Sequence, residues 1–496
     1  MEQEILPEIS KTSCVFAAHM LYYKSIAKYR WQGFGRKAGL LMCDLRINKL
    51  HVSNFRKFEE ETFQMNPQMN VFIGKNGSGK TALLEAVNVV LGAYLAAFKT
   101  YVPSRYVFNI SKNDAHLKPL PAESKNVLTT GGIPQYPCRI ECSLTWGTES
   151  KEVTFQRILL KSEGRTKFDG SNPMQPTVVK WENSIARADH SDKQFVLPLV
   201  LYISSARLWN ENNKSSDNGG IDSRTDAYNR CLDRKHGIEF AFKYIQKLQA
   251  VAMEEQEGKK YPTYEAILSA VQTALRDELS LGESVIFSTR YSDDIVALKT
   301  AEGTVVPFST LSDGYRNVIK MILDIAVRMC ILNPYLEEKA LTDTPGVVVI
   351  DEIDLSLHPT WQQRIIGILK ELFPKIQFIC ATHSPFIVQS LEEGELQTLD
   401  RTLDDEYSGE GIEDIAEGIM GVEMPQYSEK KRKMYEAARA YYDALDACSD
   451  AEQLEKLRVE LTELEAEYSD NPAYLALIHQ RLSYRALEVE NSETRQ

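Results

Sequence analysis

The sequence predicts an α/β fold: a mixed β-sheet lobe and a helical lobe, followed by a C-terminal α-helical extension. Three observations predict it. Residues 70–73 (NVFI) form a short apolar run that enters a glycine-rich loop, and a long apolar helix pattern follows at once. Two further apolar runs, 347–350 (VVVI) and 376–381 (IQFICA), read as strands separated by a helical pattern. Beyond residue 400 the chain turns acidic, with apolar residues at helical spacing.

The chain has 496 residues, room for two to four domains at roughly 100–200 residues each. Hydrophobic residues make up 43% and charged residues 26%, enough for a buried core with an ordinary polar surface. No uncharged apolar run reaches the ~18 residues of a membrane span, so no membrane partner is expected. The net charge of −13 sits almost wholly in the tail, where residues 401–496 hold 23 acidic against 11 basic side chains. That excludes a globally basic nucleic-acid binder and leaves room for a local patch, for which positions 207, 224, 230, 234 and 235 offer Lys and Arg. A solvated helix face is the plainer reading of those five. Eight cysteines are scattered without zinc-type doublets and read as reduced thiols of a cytoplasmic protein.

Residues 1–41 mix early acids with Lys, Arg and aromatics and lack the pattern of a signal peptide. Two readings stand for them: a helical decoration, or a start codon placed too early. From Asp44 a strand (DLRINKLHVSNF), a turn at Asn54 and a second strand (EEETFQM) follow. Prolines, Asn, Ser and a Gly-Gly pair mark a loop-rich insertion at 103–135. CRIECSLTW and KEVTFQRILLK read as a hairpin, and FVLPLVLYIS as a buried strand. Residues 236–281 read as two helices split near Lys259–Pro262; ESVIFSTR, DIVALKT and TVVPFS are short strands, YRNVIKMILDIAVRMCIL a long helix, and WQQRIIGILKELF another. The partition is 1–41 as an N-terminal extension, 42–205 as a first lobe with the phosphate loop, 206–310 as an insertion, 311–400 as a second lobe, and 401–496 as an acidic helical tail.

Gly74-Lys75-Asn76-Gly77-Ser78-Gly79-Lys80-Thr81 satisfies the pattern G-x-x-x-x-G-K-[ST] between a strand and a helix. The glycines let successive N–H groups turn toward phosphates, and the helix N-terminus adds a favourable dipole. Lys80 is expected to reach the β- and γ-phosphates of ATP, and Thr81 to ligate Mg²⁺. The run at 347–350 ends in Asp351-Glu352. Asp351 is placed beside that Mg²⁺, and Glu352 as general base for the attacking water. Leu311-Ser312-Asp313-Gly314 opens a helix, where Ser312 and Gly314 suit an anion-binding N-terminus. His383 closes the strand after the acidic pair and is expected to donate to the γ-phosphate.

These elements, in this order, resemble the ATP-binding-cassette ATPases, and more closely the branch with RecF and SMC proteins. There the loop reads GxNGSGKT, and an opening strand ends NFR, here Asn54-Phe55-Arg56. The resemblance covers about residues 44–395. It implies that Arg56 lies near the base or ribose, and that Ser312, Asp313 and Gly314 complete the site of an opposite subunit. With one phosphate loop and one signature per chain, it implies an ATP-dependent head-to-head homodimer. The signature carries Asp313 where many transporter cassettes have glycine. Only two short helices separate the lobes, so the members with long coiled coils do not fit. Glu417-Gly418 is superficially similar to the start of a TOPRIM nuclease domain, but no apolar strand leads into it.

The run from DGYRN through VVVIDEIDLSLHPTWQQ to ATHSP, with the tail that follows, resembles the ATPase subunits of Septu anti-phage systems, also found beside retrons. That resemblance implies a regulatory ATPase working with a separate HNH nuclease subunit. A reverse transcriptase and small DNA are further possible partners, higher oligomers a further assembly, and nucleic acid is contacted through the complex. The alternative is a RecF-like repair ATPase that binds DNA directly. In the tail, leucines at 454, 457, 461 and 464 make one apolar stripe on an acidic helix, and Tyr435, Tyr441 and Tyr442 lie among small residues. The stripe either packs on the chain's own core or docks a partner.

Overall fold

A computed structural model of the chain describes residues 41–400, apart from 101, 104–105, 120–131, 187–194, 206–220, 222, 235–238, 255–261, 277–282 and 288–295. Beyond these it describes 410–422, 425–429, 431–433 and single helical positions up to 462. Residues 1–40 of the N-terminal extension, the tail leucines and the three tail tyrosines named above lie outside the described residues. The chain divides into two compact units, Met1–Gly409 and Glu410–Gln496.

The first unit is built on two five-stranded sheets. β1 (Asp44–Phe55), β2 (Phe58–Gln64) and β3 (Met69–Ile73) lead into helix α1 (Lys80–Leu95). After the short ribbon β4 (Leu117–Lys118) and β5 (Ile133–Pro134) come β6 (Cys138–Gly147), β7 (Lys151–Leu159) and β8 (Lys167–Phe168). The order β2-β1-β6-β7-β8 is antiparallel throughout. In β1 the buried residues change phase: Leu45 and Ile47, then Leu50 and Val52. A register shift between Ile47 and Lys49 keeps all four on one face, because an extra residue resets the two-residue period.

Helix α2 (Gln175–Ala186) precedes β9 (Leu199–Ile203); α3 (Glu239–Glu254), α4 (Pro262–Leu275) and the small antiparallel sheet β10 (Ser284–Phe287), β11 (Val296–Lys299) and β12 (Val305–Pro307) follow. The long α5 (Asp313–Leu332) and one-turn α6 (Ala340–Asp343) lead to β13 (Gly346–Ile350). Then come α7 (Pro359–Gln362), α8 (Ile365–Leu372), β14 (Ile376–Ala381), α9 (Pro385–Gln389) and β15 (Leu396–Thr398). The second sheet, β15-β3-β14-β13-β9, is all parallel. Every residue of β3, β9, β13 and β14 is buried, so these strands read as continuous apolar runs rather than alternating ones.

Two polar residues in these runs join the structure together. Gln377 on β14 accepts the Ile47 N–H and donates to Ile47 O, each at 2.8 Å. It thereby satisfies the edge of β1 that β2, which pairs only from Lys49 on, leaves open. Asn70 on β3 donates to Phe378 O at 3.2 Å and to Asn66 O at 2.9 Å. α1 packs on strands of both sheets and is buried along nearly its whole length, as an apolar helix between two layers must be.

α5 carries the helical lobe's core. Its first turn is open to solvent, and it is buried from Val318 onward except at Lys320. Arg328 is fully buried, with Nε donating to Asp324 Oδ1 at 2.7 Å. Its guanidinium also reaches Ala227 O and Asn229 O and stacks 4.8 Å from the Phe240 ring centre.

Several expectations shift. The helix expected over WQQRIIGILKELF is two, broken at Arg364. α2 was not anticipated, although Met174, Val178 and Trp181 bury one face at helical spacing. The insertion at 103–135 contains the β4–β5 ribbon as well as loop. The six described cysteines are free and buried, and burial pushes Cys231 and Cys330 up to about 12. No described helix is long and apolar enough to cross a membrane. In the second unit, a turn of α-helix at Ile412–Asp414 runs into a π-helical turn at Ile415–Ile419. Glu417 and Gly418 therefore sit in a helix, without the strand that a TOPRIM start requires.

Candidate nucleotide site

Parallel strands bring their carboxyl ends to one edge, where ligands of open α/β sheets bind. Here β3, β13 and β14 deliver the loop at 74–81, the acidic pair and His383 to that edge. β3 runs into Gly74, whose φ is +156°, and a Cβ there would fall 2.6 Å from Ser78 Oγ. At Gly79, φ +110°, a Cβ would fall 2.8 Å from the Phe58 ring. The loop can close this tightly only with glycine at these two positions. The Lys80 ammonium folds back across it, donating to Gly74 O at 2.5 Å and Lys75 O at 3.1 Å. No side chain caps α1, and its first turn holds no acid, so its N-terminal N–H groups have no competing anion within the helix. Ser78 Oγ is buried without a hydrogen-bond partner. These features fit a phosphate group.

Thr81 Oγ1 donates to Asp351 Oδ2 at 3.4 Å. Among the described residues no group of three or more His, Cys, Asp or Glu side chains is arranged to hold a metal ion. A hydroxyl beside one carboxylate instead suits Mg²⁺, which takes few protein ligands and completes its shell with phosphates and water. Asp351 is anchored by its N–H to Ile203 O at 2.8 Å. Burial, and then the neighbouring Glu352 charge, raise its pKa above the ordinary aspartate value. Glu352 is exposed and sits at φ +50°, a conformation that costs a non-glycine residue about 1 kcal/mol or more.

Asp354 ties the acidic segment to the next strand. Its Oδ1 accepts from Thr382 Oγ1 at 2.6 Å and from the His383 N–H at 3.3 Å. Partial burial, and then the Lys80 charge, lower the His383 pKa, which favours a neutral imidazole. Lys80 is itself lowered by desolvation, against the pull of Asp400, Asp351, Asp354 and Glu352.

Arg56 lies in the β1–β2 turn at φ +51°. Its Nε donates to Asp114 Oδ1 at 2.9 Å, and its guanidinium pairs with Glu85, buried on α1. Arg234 pairs with the same Glu85 and exerts an attractive field on Asp351. Ser312, Asp313 and Gly314 open α5 away from any side-chain cap. A Cβ at Gly314 would lie 3.2 Å from Ser356 O, and Asn317 donates to Leu355 O at 3.2 Å, so this segment rests on the turn after Glu352. Asp313 pairs with Arg316.

Sequence reading missed Glu85, Asp114 and Asp400, and offered Arg234 only as a member of a basic patch. Glu85 had a signal, as a charge inside the apolar run ALLEAVNVV. The three described members of the suggested basic patch are engaged internally. Arg224 binds Leu332 O and Phe195 O, Arg230 pairs with Asp233, and Arg234 pairs with Glu85. Positions 207 and 235 lie outside the described residues.

Residues 69–389 match the family model described as "AAA domain, putative AbiEii toxin, Type IV TA system". A Retron Vc95 probable ATPase of Vibrio cholerae serotype O1 biovar El Tor is 24% identical, covering 72% of this chain and 73% of its own. A Retron Ec83 probable ATPase of Escherichia coli is 24% identical over 70% of each chain. The Septu protein PtuA of Bacillus mycoides (strain KBAB4) is 34% identical over 133 residues, 27% of this chain and 17% of its own.

Proposed function

The chain belongs to the AAA-domain family described as putative AbiEii toxin of type IV toxin–antitoxin systems, and on that premise we propose that it is the ATP-binding and hydrolysing regulatory subunit of an anti-phage defence complex. The observation that carries the reading is the convergence at one sheet edge of the phosphate loop, Thr81 with Asp351, and Glu352. Lys80 and the N–H groups of the loop hold the triphosphate; Thr81 and Asp351 hold Mg²⁺. ATP supplies the phosphoanhydride bond that is broken. Glu352 takes the proton of the attacking water, and neutral His383 donates a hydrogen bond at the γ-phosphate.

The signature at Ser312, Asp313 and Gly314 serves the site of a second copy, so ATP closes a head-to-head homodimer and hydrolysis releases it. The named relatives, retron ATPases and a Septu protein, support a place in such a system. In this reading a separate HNH nuclease subunit does the cutting, with a reverse transcriptase and small DNA where a retron is present. The work is cytoplasmic. The test is a pull-down of the tagged chain from its own gene neighbourhood, with mass and nucleic-acid content determined. An HNH protein at fixed ratio, lost or deregulated with Lys80→Ala, is the expected result. A bare homodimer whose ATPase activity rises on adding DNA would overturn it in favour of a RecF-like repair ATPase.

A further inference from the structure

Asp400 stands just past β15. Leu399 N–H donates to Ile73 O at 3.1 Å, which ties this chain end to the residue before the phosphate loop. The Asp400 Oδ2 atom accepts the Lys75 backbone N–H at 2.5 Å. Its Oδ1 lies 3.9 Å from Lys57 Nζ. A Cβ at Gly74 would fall 2.8 Å from Oδ2, so the carboxylate is pressed against the base of the loop. Of the four carboxylates whose charge acts on the Lys80 ammonium, Asp400 acts most strongly, ahead of Asp351, Asp354 and Glu352. Those three have work in the metal, turn and water positions described above, and Asp400 has none.

A carboxylate resembles a phosphate oxygen pair in charge and in the donors it accepts. Asp400 already takes one loop amide and part of the field of the loop's lysine. We propose that Asp400 is a built-in anion that competes with nucleotide phosphates for this loop and so sets how tightly the chain holds ATP. This rests on the reading of the loop as a nucleotide site. Two like charges drawing on one ammonium weaken each other's hold, and the effect is electrostatic, so salt screens it.

The test is MgATP titration of the full chain by calorimetry. Asp400→Asn keeps an acceptor for the Lys75 N–H and removes only the charge. It should bind MgATP roughly three- to tenfold more tightly at low salt, a gain that shrinks near 1 M salt, where the Debye length is about 3 Å. Asp400→Glu keeps the charge and should show no gain. If the Asn variant does not fold, Asp400→Ser tests the same loss of charge. Neutral variants that fold and bind no tighter than wild type, or a gain that salt leaves unchanged, would overturn the proposal alone. A wild-type chain that binds no MgATP would overturn the nucleotide reading and the proposal with it.

Discussion

Removing Asp324 should destabilise the helical lobe more than removing its whole ion pair. Arg328 is 0% and Asp324 2% exposed, so Asp324→Ala leaves a guanidinium buried without its carboxylate. Breaking a buried pair from one side costs about 3–5 kcal/mol. The Ala227 and Asn229 carbonyls and the Phe240 ring still face the cation, which places the expected loss near the lower end, about 3 kcal/mol. Against a total stability of about 5–15 kcal/mol that is a large fraction. Urea denaturation followed by tryptophan fluorescence reads it. With an m-value of about 3 kcal/mol/M, the midpoint should fall by about 1 M. The double variant Asp324→Ala with Arg328→Met removes the stranded charge and should recover part of that shift. A double variant no more stable than Asp324→Ala alone would refute the reasoning, as would a midpoint shift below about 0.2 M for Asp324→Ala.

Glu352→Gln should keep MgATP binding and lower turnover by about 10²–10⁴-fold, the share of a general base; phosphate release checks it, and a loss under tenfold removes Glu352 from that role. Gly346→Ala would place a Cβ 2.1 Å from Leu199 O and 2.6 Å from Leu199 N, so β13 must part from β9. The expected loss is above about 3 kcal/mol, read by the same urea curves. The apparent Mg²⁺ affinity should fall with acidification, because the raised Asp351 pKa means that a proton competes with the metal at higher pH than at an ordinary aspartate of 3.8. Metal titration between about pH 4 and 7 reads this shift from the model-peptide value, and Asp351→Asn should remove it.

The strands β3, β9, β13 and β14 were legible because they are buried on both faces, and burial leaves an unbroken apolar run in the sequence; that they pair in parallel was not. The phosphate loop was legible because all of its residues are contiguous. The bulge in β1 was visible only in hindsight, as the change of phase between Ile47 and Leu50. α2 shows its face through Val178 and Trp181, but two valines and a tryptophan near a proline also suit a strand. Asp400 left no local trace: an aspartate after a three-residue strand gains its meaning from Lys75, 325 residues earlier in the chain. Arg234 is the same case, since its partner Glu85 comes from another element. Contacts that join distant segments have no period to read.

The order of the parallel sheet also governs how the chain is made. Among the described residues β3 pairs only with β14 and β15, and β9 only with β13. Both early strands therefore leave the ribosome without a sheet partner, whereas β1, β2, β6, β7 and β8 find theirs nearby. The stretch from the end of β9 to the start of β13 takes roughly 7–30 s to synthesise at about 5–20 residues per second. During that interval the nascent chain shows two bare apolar strands and a phosphate loop with no acidic partner. Until β13 is made, Thr81 lacks the Asp351 carboxylate that it meets in the finished fold. Whatever the finished site does, it is switched on only when nearly the whole first unit has been translated.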